Sequence, residues 1–129
     1  MTAATTARAA AESLMFDKES IARSVTTRLY AEYPDLIEKH GERGRVKTLQ
    51  DMHYNIEHLI PAVDLEQPEL FATYVRWLND MLNARNVATR DVRRCVELLG
   101  EEARERYDAT TAAAVTRVVD AGLAVLEKA

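Results

Sequence analysis

Apolar residues recur at spacings of three and four along most of this chain, and alternation at every second residue is hard to find. No other feature constrains the fold as much, because the first spacing builds one face of an α-helix and the second one face of a strand. With 129 residues, 47% of them hydrophobic, and only four glycines and three prolines, the chain is long enough to bury a core of its own and has few breaks to interrupt helices.

The spacing predicts a first helix from about Phe16 to Glu32, with Ile21, Val25 and Leu29 on one face. Residues 1–15, "MTAATTARAAAESLM", are expected as a flexible or loosely helical tail, and residues 16–129 as the domain. Pro34 ends the first helix, because proline lacks an N–H and restricts Tyr33 before it. "GERGR", with Gly41 and Gly44, is the clearest hinge. The next helix is expected from about Arg45 to Ile60, stopped by Pro61. Its apolar arc holds Val46, Leu49, Met52, Ile56, Leu59 and Ile60, with His53 inside the arc and His58 on the opposite side.

"PELFATYVRWLNDMLNAR" follows, with Pro68 at a first helical position. Leu70, Tyr74, Trp77 and Met81 make one seam, and Phe71, Val75, Leu78 and Leu82 an adjoining one. Together they span an apolar arc of about 160°, wider than a surface helix needs, so this helix packs from two sides or borders a pocket. Asn86 suits the helix end, and Thr89 suits the N-cap of the next helix, with Asp91 near its positive pole. That helix turns Val92, Cys95, Val96, Leu99 and Ala103 inward. A last one, from about Thr110 to Glu127, buries Val115, Val118, Val119, Gly122 and Leu126, with Gly122 marking a close helix crossing. The expected architecture is all-α, a single bundle of five or six helices.

The histidines set the chemical question. His53 and His58 are five residues apart, which separates them by about 140° around a helix, so both cannot reach one zinc ion as two histidines four apart can. No metal site is expected. Haem would need a ligand facing His53, and the "PELFATYVRWLNDMLNAR" helix has neither histidine nor cysteine; Tyr74 and Met81 are better read as packing residues. Cys95 lies on an apolar face, where a free cysteine behaves as a small hydrophobe. No nucleophile–base pairing, phosphate loop or dinucleotide fingerprint occurs, so the chain is not expected to be an enzyme.

A net charge of −4 argues against a nucleic-acid partner. No stretch approaches the roughly 20 continuous apolar residues of a membrane span. The start has no apolar signal region, and the lone cysteine suits a reducing compartment, so a cytoplasmic location is expected. The basic run Lys39, His40, Arg43, Arg45 and Lys47 around the hinge, with Arg76 and Arg85 beside the aromatic helix, reads either as solvated surface or as cations for the carboxylates of a ligand set against His53, Tyr74 and Trp77.

"YPDLIEKHGERGRVKTLQDMHYNIEHL" followed by "LFATYVRWLNDMLNARNV" resembles the photoglobins, globin-like domains that bind no haem and usually precede a cobalamin-binding domain in bacterial signalling proteins. The most specific residues are Gly41-Glu42-Arg43-Gly44-Arg45, Asp51 with Tyr54, and Tyr74-Val75-Arg76-Trp77-Leu78, within a match covering about Tyr33 to Leu99. The resemblance implies a globin-like fold, a sensory role, and a linear tetrapyrrole held between the helices around Arg45–Ile60 and Pro68–Arg85. It places His53, Tyr54, Tyr74, Trp77 and Met81 in that cleft and sets Arg76 or Arg85 against the ligand's carboxylates. The link would be non-covalent, because Cys95 lies on another helix.

This chain departs from the pattern at His53-Tyr54-Asn55, where Tyr-His is expected, and at Asn86, where glycine is expected. The cobalamin signature D-x-H-x-x-G does not occur. Two readings follow. One is a non-haem globin-like sensor of a linear tetrapyrrole or similar amphipathic ligand. The other is a ligand-free module whose exposed helix face dimerises or docks a signalling protein.

Overall fold

Residues 2–128 are described by a computed structural model, and they form five α-helices with no strand among the described residues. The first, α1 (Ala3–Glu32), starts well before Phe16. Thr2 caps it, its Oγ1 accepting the Thr5 backbone N–H at 3.1 Å. Ala7, Ala10, Ala11 and Leu14 are buried in the core, so the segment expected as a loose tail is the packed first half of a helix. Alanines carry little apolar weight, but they hold the highest helix propensity and let neighbouring helices approach closely.

Helix α2 (Asp35–Asp64) is interrupted at one of the two features expected to break it and runs through the other. Gly41 takes φ 64° and ψ −166°, which is not helical, so the "GERGR" hinge expected from the sequence is a kink where two helical segments meet. Pro61 sits in the last turn instead of ending the helix, which closes with Leu65 N–H donating to Pro61 O at 2.9 Å. A short turn through Glu66 leads to α3 (Pro68–Ala84), which begins with its proline at the first position as expected. Asn86, at φ 66°, provides the left-handed exit foreseen for it.

Helix α4 (Thr89–Arg106) is capped by Ala88, not Thr89. The Thr89 hydroxyl instead donates to Asn79 Oδ1 at 3.0 Å and so ties the start of α4 to α3. Asp108 caps α5 (Ala109–Leu126) by accepting the Thr111 N–H at 2.8 Å.

Helix α5 packs on α1, α3 and α4, and α1 lies along α2. The five inward residues expected on α5 are all buried. A Cβ at Gly122 would lie 2.8 Å from Phe71 Cε2 and 3.0 Å from Val75 Cγ2, so the glycine lets α3 and α5 cross closely. By length and composition α5 could also cross a membrane, and a third of it is buried in the bundle. Between α1 and α4 runs an ion network. Arg28 meets Glu101, Glu102 and Glu105, Arg94 meets Glu32, Glu97 and Glu101, and Arg106 meets Glu102 at 2.7 Å. On the other flank of α1, Arg8–Asp64 and Lys18–Glu57 bridge to α2.

Candidate functional site

Tyr74 organises the α2/α3 seam. Its ring is buried, and its hydroxyl donates to Asn55 Oδ1 at 2.5 Å. The His58 imidazole stacks on the exposed side of that ring, with centroids 4.0 Å apart and planes only 10° from parallel. His58 is itself held in place, because its Nδ1 lies 2.9 Å from Tyr54 O and must carry the proton to bond a carbonyl. Trp77, one turn along α3, continues the aromatic row at 5.9 Å, and Phe71 backs Tyr74 from the core at 6.1 Å. Burial, with Asp51 and Glu57 nearby, pushes the Tyr74 phenol well above its ordinary value, so it stays a neutral donor.

The histidine assignment is reversed from the one expected. His58, not His53, meets Tyr74; His53 is half-buried and about 140° away around α2, on the side turned toward α1. The wide apolar arc of α3 divides in two. Phe71, Val75 and Leu78 enter the core, while Leu70 and Trp77 stay open to solvent, with Trp77 57% exposed. Tyr54 is equally open and Met81 is half-buried beside the seam.

The two arginines separate as well. Arg85 lies close enough to Asp51 for its charge to oppose the rise that burial gives the Asp51 pKa, so it belongs to the far end of the seam. Arg76 turns the other way, into a groove with Ala124, Val125 and Lys128. His53, Tyr74, Trp77 and Arg76 therefore do not line one pocket. Two open concavities of about 310 Å³ each lie elsewhere, and neither is lined by His53, Tyr54, Tyr74 or Trp77.

What the seam does form is a continuous outer strip. Steps of about 100° put Arg43, Lys47, Asp51, Tyr54, His58, Pro61 and Leu65 on one side of α2, next to Leu70, Trp77 and Met81 of α3. Of the seven large hydrophobic residues that are exposed among the described residues, four lie here: Tyr54, Leu65, Leu70 and Trp77. Asp51, half-buried at the basic end, has its pKa raised by burial, with Lys47 and Arg85 opposing that rise.

His58 and Asn55 are the contributors that sequence reasoning passed over. The signal for His58 was its spacing of four from Tyr54, which puts the two on one strip.

Behind the seam, Cys95 is half-buried on α4, and burial with Asp91 and Asp51 nearby pushes its thiol up to about 12. No cluster of three or more His, Cys, Asp or Glu residues with metal-holding geometry occurs among the described residues. The strip offers stacking surfaces and fixed charges, with no nucleophile–base pair. No protein-family model matches the chain, and no curated protein does so.

Proposed function

We propose that this chain is a non-catalytic sensory or signalling module of the non-haem globin type, and that the outer face of α2 and α3 docks a protein partner. One observation carries the reading. Tyr54, Leu65, Leu70 and Trp77 stand exposed together over a His58–Tyr74 stack that is already satisfied from below by Asn55. Apolar groups gathered on one face and fixed by interior contacts make a docking surface. A small-molecule pocket would enclose most of its ligand instead.

A photocrosslinking residue placed at 77 in living cells is expected to give a defined adduct, and the same residue at 23, on the exposed side of α1, none. No adduct from 77, or equal adducts from both positions, would sink the reading.

The stack also favours a second reading, in which a linear tetrapyrrole lies flat across the same face. Its rings would rest on His58 and Trp77, and its carboxylates would meet Lys47 and Arg85. That ligand predicts a saturable red-shifted absorption band on titration with biliverdin, lost in His58→Ala and Trp77→Ala and retained in His53→Ala. Hemin should give no sharp Soret band. Failure of the bilin band to saturate removes this reading and leaves the docking module.

A further inference from the structure

Helices α3 and α5 cross closely at Gly122, where Phe71 and Val75 press in. One turn further along each, at Asn79 and Leu126, they border an open cavity of about 310 Å³. Arg76, Asn79 and Asp80 supply its α3 wall, three positions within about 100° of one another around the helix. Ala124, Val125 and Lys128 stand on the α5 side. Asn79 is the unusual member, an amide only 4% exposed. Its Oδ1 accepts from the Thr89 hydroxyl, but its Nδ2 donates to no group among the described residues. No sealed side-chain nitrogen or oxygen among those residues lacks a partner, so Nδ2 is open to the outside, and the cavity is the space that Asn79 borders. A donor in so buried a side chain is costly to leave unmet, so water or a ligand must accept from it. Arg76, Asp80 and Lys128 are exposed around it, and none forms an ion pair among the described residues. A plain anion here meets Asp80, and a plain cation meets Arg76 and Lys128. A zwitterion satisfies all three.

We infer that this cavity binds a free α-amino acid with an apolar side chain. The ligand's carboxylate accepts from Asn79 Nδ2 and pairs with Arg76 and Lys128. Its ammonium group pairs with Asp80, aided by the negative end of the α5 dipole. Its side chain lies on Ala124 and Val125. The volume is at the small end for ligand cavities, which suits a single amino acid and excludes a large ligand. The α3 wall is turned away from Leu70, Trp77 and Met81, so the inference stands whether or not their strip docks a partner.

Calorimetric titration of the full chain with free leucine tests it, alongside NMR of the Asn79 side-chain amide, whose signals are assigned by their loss in Asn79→Asp. Leucine is expected to give a saturable heat and to shift those signals. N-acetylleucine lacks the ammonium group and leucinamide lacks the carboxylate, so each should bind at least about tenfold more weakly. Asp80→Asn should weaken leucine by a similar factor without weakening N-acetylleucine. Arg76→Gln should weaken leucine without weakening leucinamide. Both positions are exposed, so helical content should stay at the wild-type level in these two variants. No saturable heat, with the Asn79 signals unmoved, overturns the site and leaves water as the partner of that amide. N-acetylleucine binding as tightly as leucine overturns the zwitterion. A leucine affinity indifferent to both variants puts the ligand elsewhere and overturns the choice of cavity.

Discussion

At the scale of single residues, the molecule depends on a few contacts that admit no slack. Tyr74 and Asn55 are both buried and complete each other. Tyr74→Phe keeps the ring and its His58 stack but strands the Asn55 oxygen, so it should cost about 1–3 kcal/mol in denaturant unfolding. Wild-type stability in that variant would mean that water satisfies Asn55. Gly122→Ala tests the opposite kind of constraint. The new methyl would press into the Phe71 ring at 2.8 Å and Val75 at 3.0 Å. Overpacking of about 1–3 kcal/mol should outweigh the roughly 1 kcal/mol that alanine gains in helix propensity. Cys95, with its thiol raised to about 12, should resist disulfide reagents at neutral pH while the chain is folded and react promptly once it is unfolded. Fast labelling of the native protein would show that the α3/α4 side opens on its own.

Among the elements, α2 is the unusual one, two helical segments joined at Gly41, whose backbone conformation belongs almost exclusively to glycine. Nothing lies within 4 Å of a Cβ built at Gly41, so Gly41→Ala isolates the backbone term. It should cost about 1–3 kcal/mol, or straighten the helix and raise its helical signal. Glycine spacing disclosed the break at Gly41, but local pattern could not show the angle at which the two segments meet.

Two boundaries were read wrongly from local pattern. Pro61 was legible as a break, yet proline in a final turn sacrifices only one backbone bond, and Leu59, Ala62 and Val63 on either side are buried. The start of α1 lacked an apolar stripe because its buried positions are mostly alanine. By contrast, α3, α4 and α5 were legible nearly to the residue, since each carries a full apolar arc between clear stops. The seam was harder. Periodicity shows which residues share a side of α2, but not which neighbour lies against that side. His53 and His58 therefore exchanged roles once α1 and α3 took opposite flanks. Glu102 left no trace in the pattern, because its burial depends on Ser24, Arg28 and Arg106 arriving from two directions.

For the whole molecule, the α1–α4 ion network decides how the bundle responds to acid. Glu101 is held below its ordinary value of 4.5, mainly by the hydrogen bond from Arg94. Burial alone would raise Glu102, but the bonds from Ser24, Arg106 and Arg28 outweigh it, and its pKa is also lowered. Both groups ionise more readily in the folded chain than in the unfolded one. Their contribution to stability is therefore complete above the ordinary carboxylate range and is lost as pH falls through the depressed folded values. Stability should stay level from neutral pH down to about 5 and then fall steeply below about 4.5. Glu102→Gln keeps the shape of the side chain but removes the buried charge that faces Arg28 and Arg106. At neutral pH it should cost about 2–4 kcal/mol, because those guanidinium groups lose a buried partner. The acid limb of its stability profile should be shallower than that of wild type, since one fewer proton is taken up on unfolding. Urea titrations of both proteins at neutral pH and near pH 4 measure the two effects separately. If the acid slopes of variant and wild type coincide, the fall in stability comes from carboxylates other than Glu102, with Glu101 the next to test.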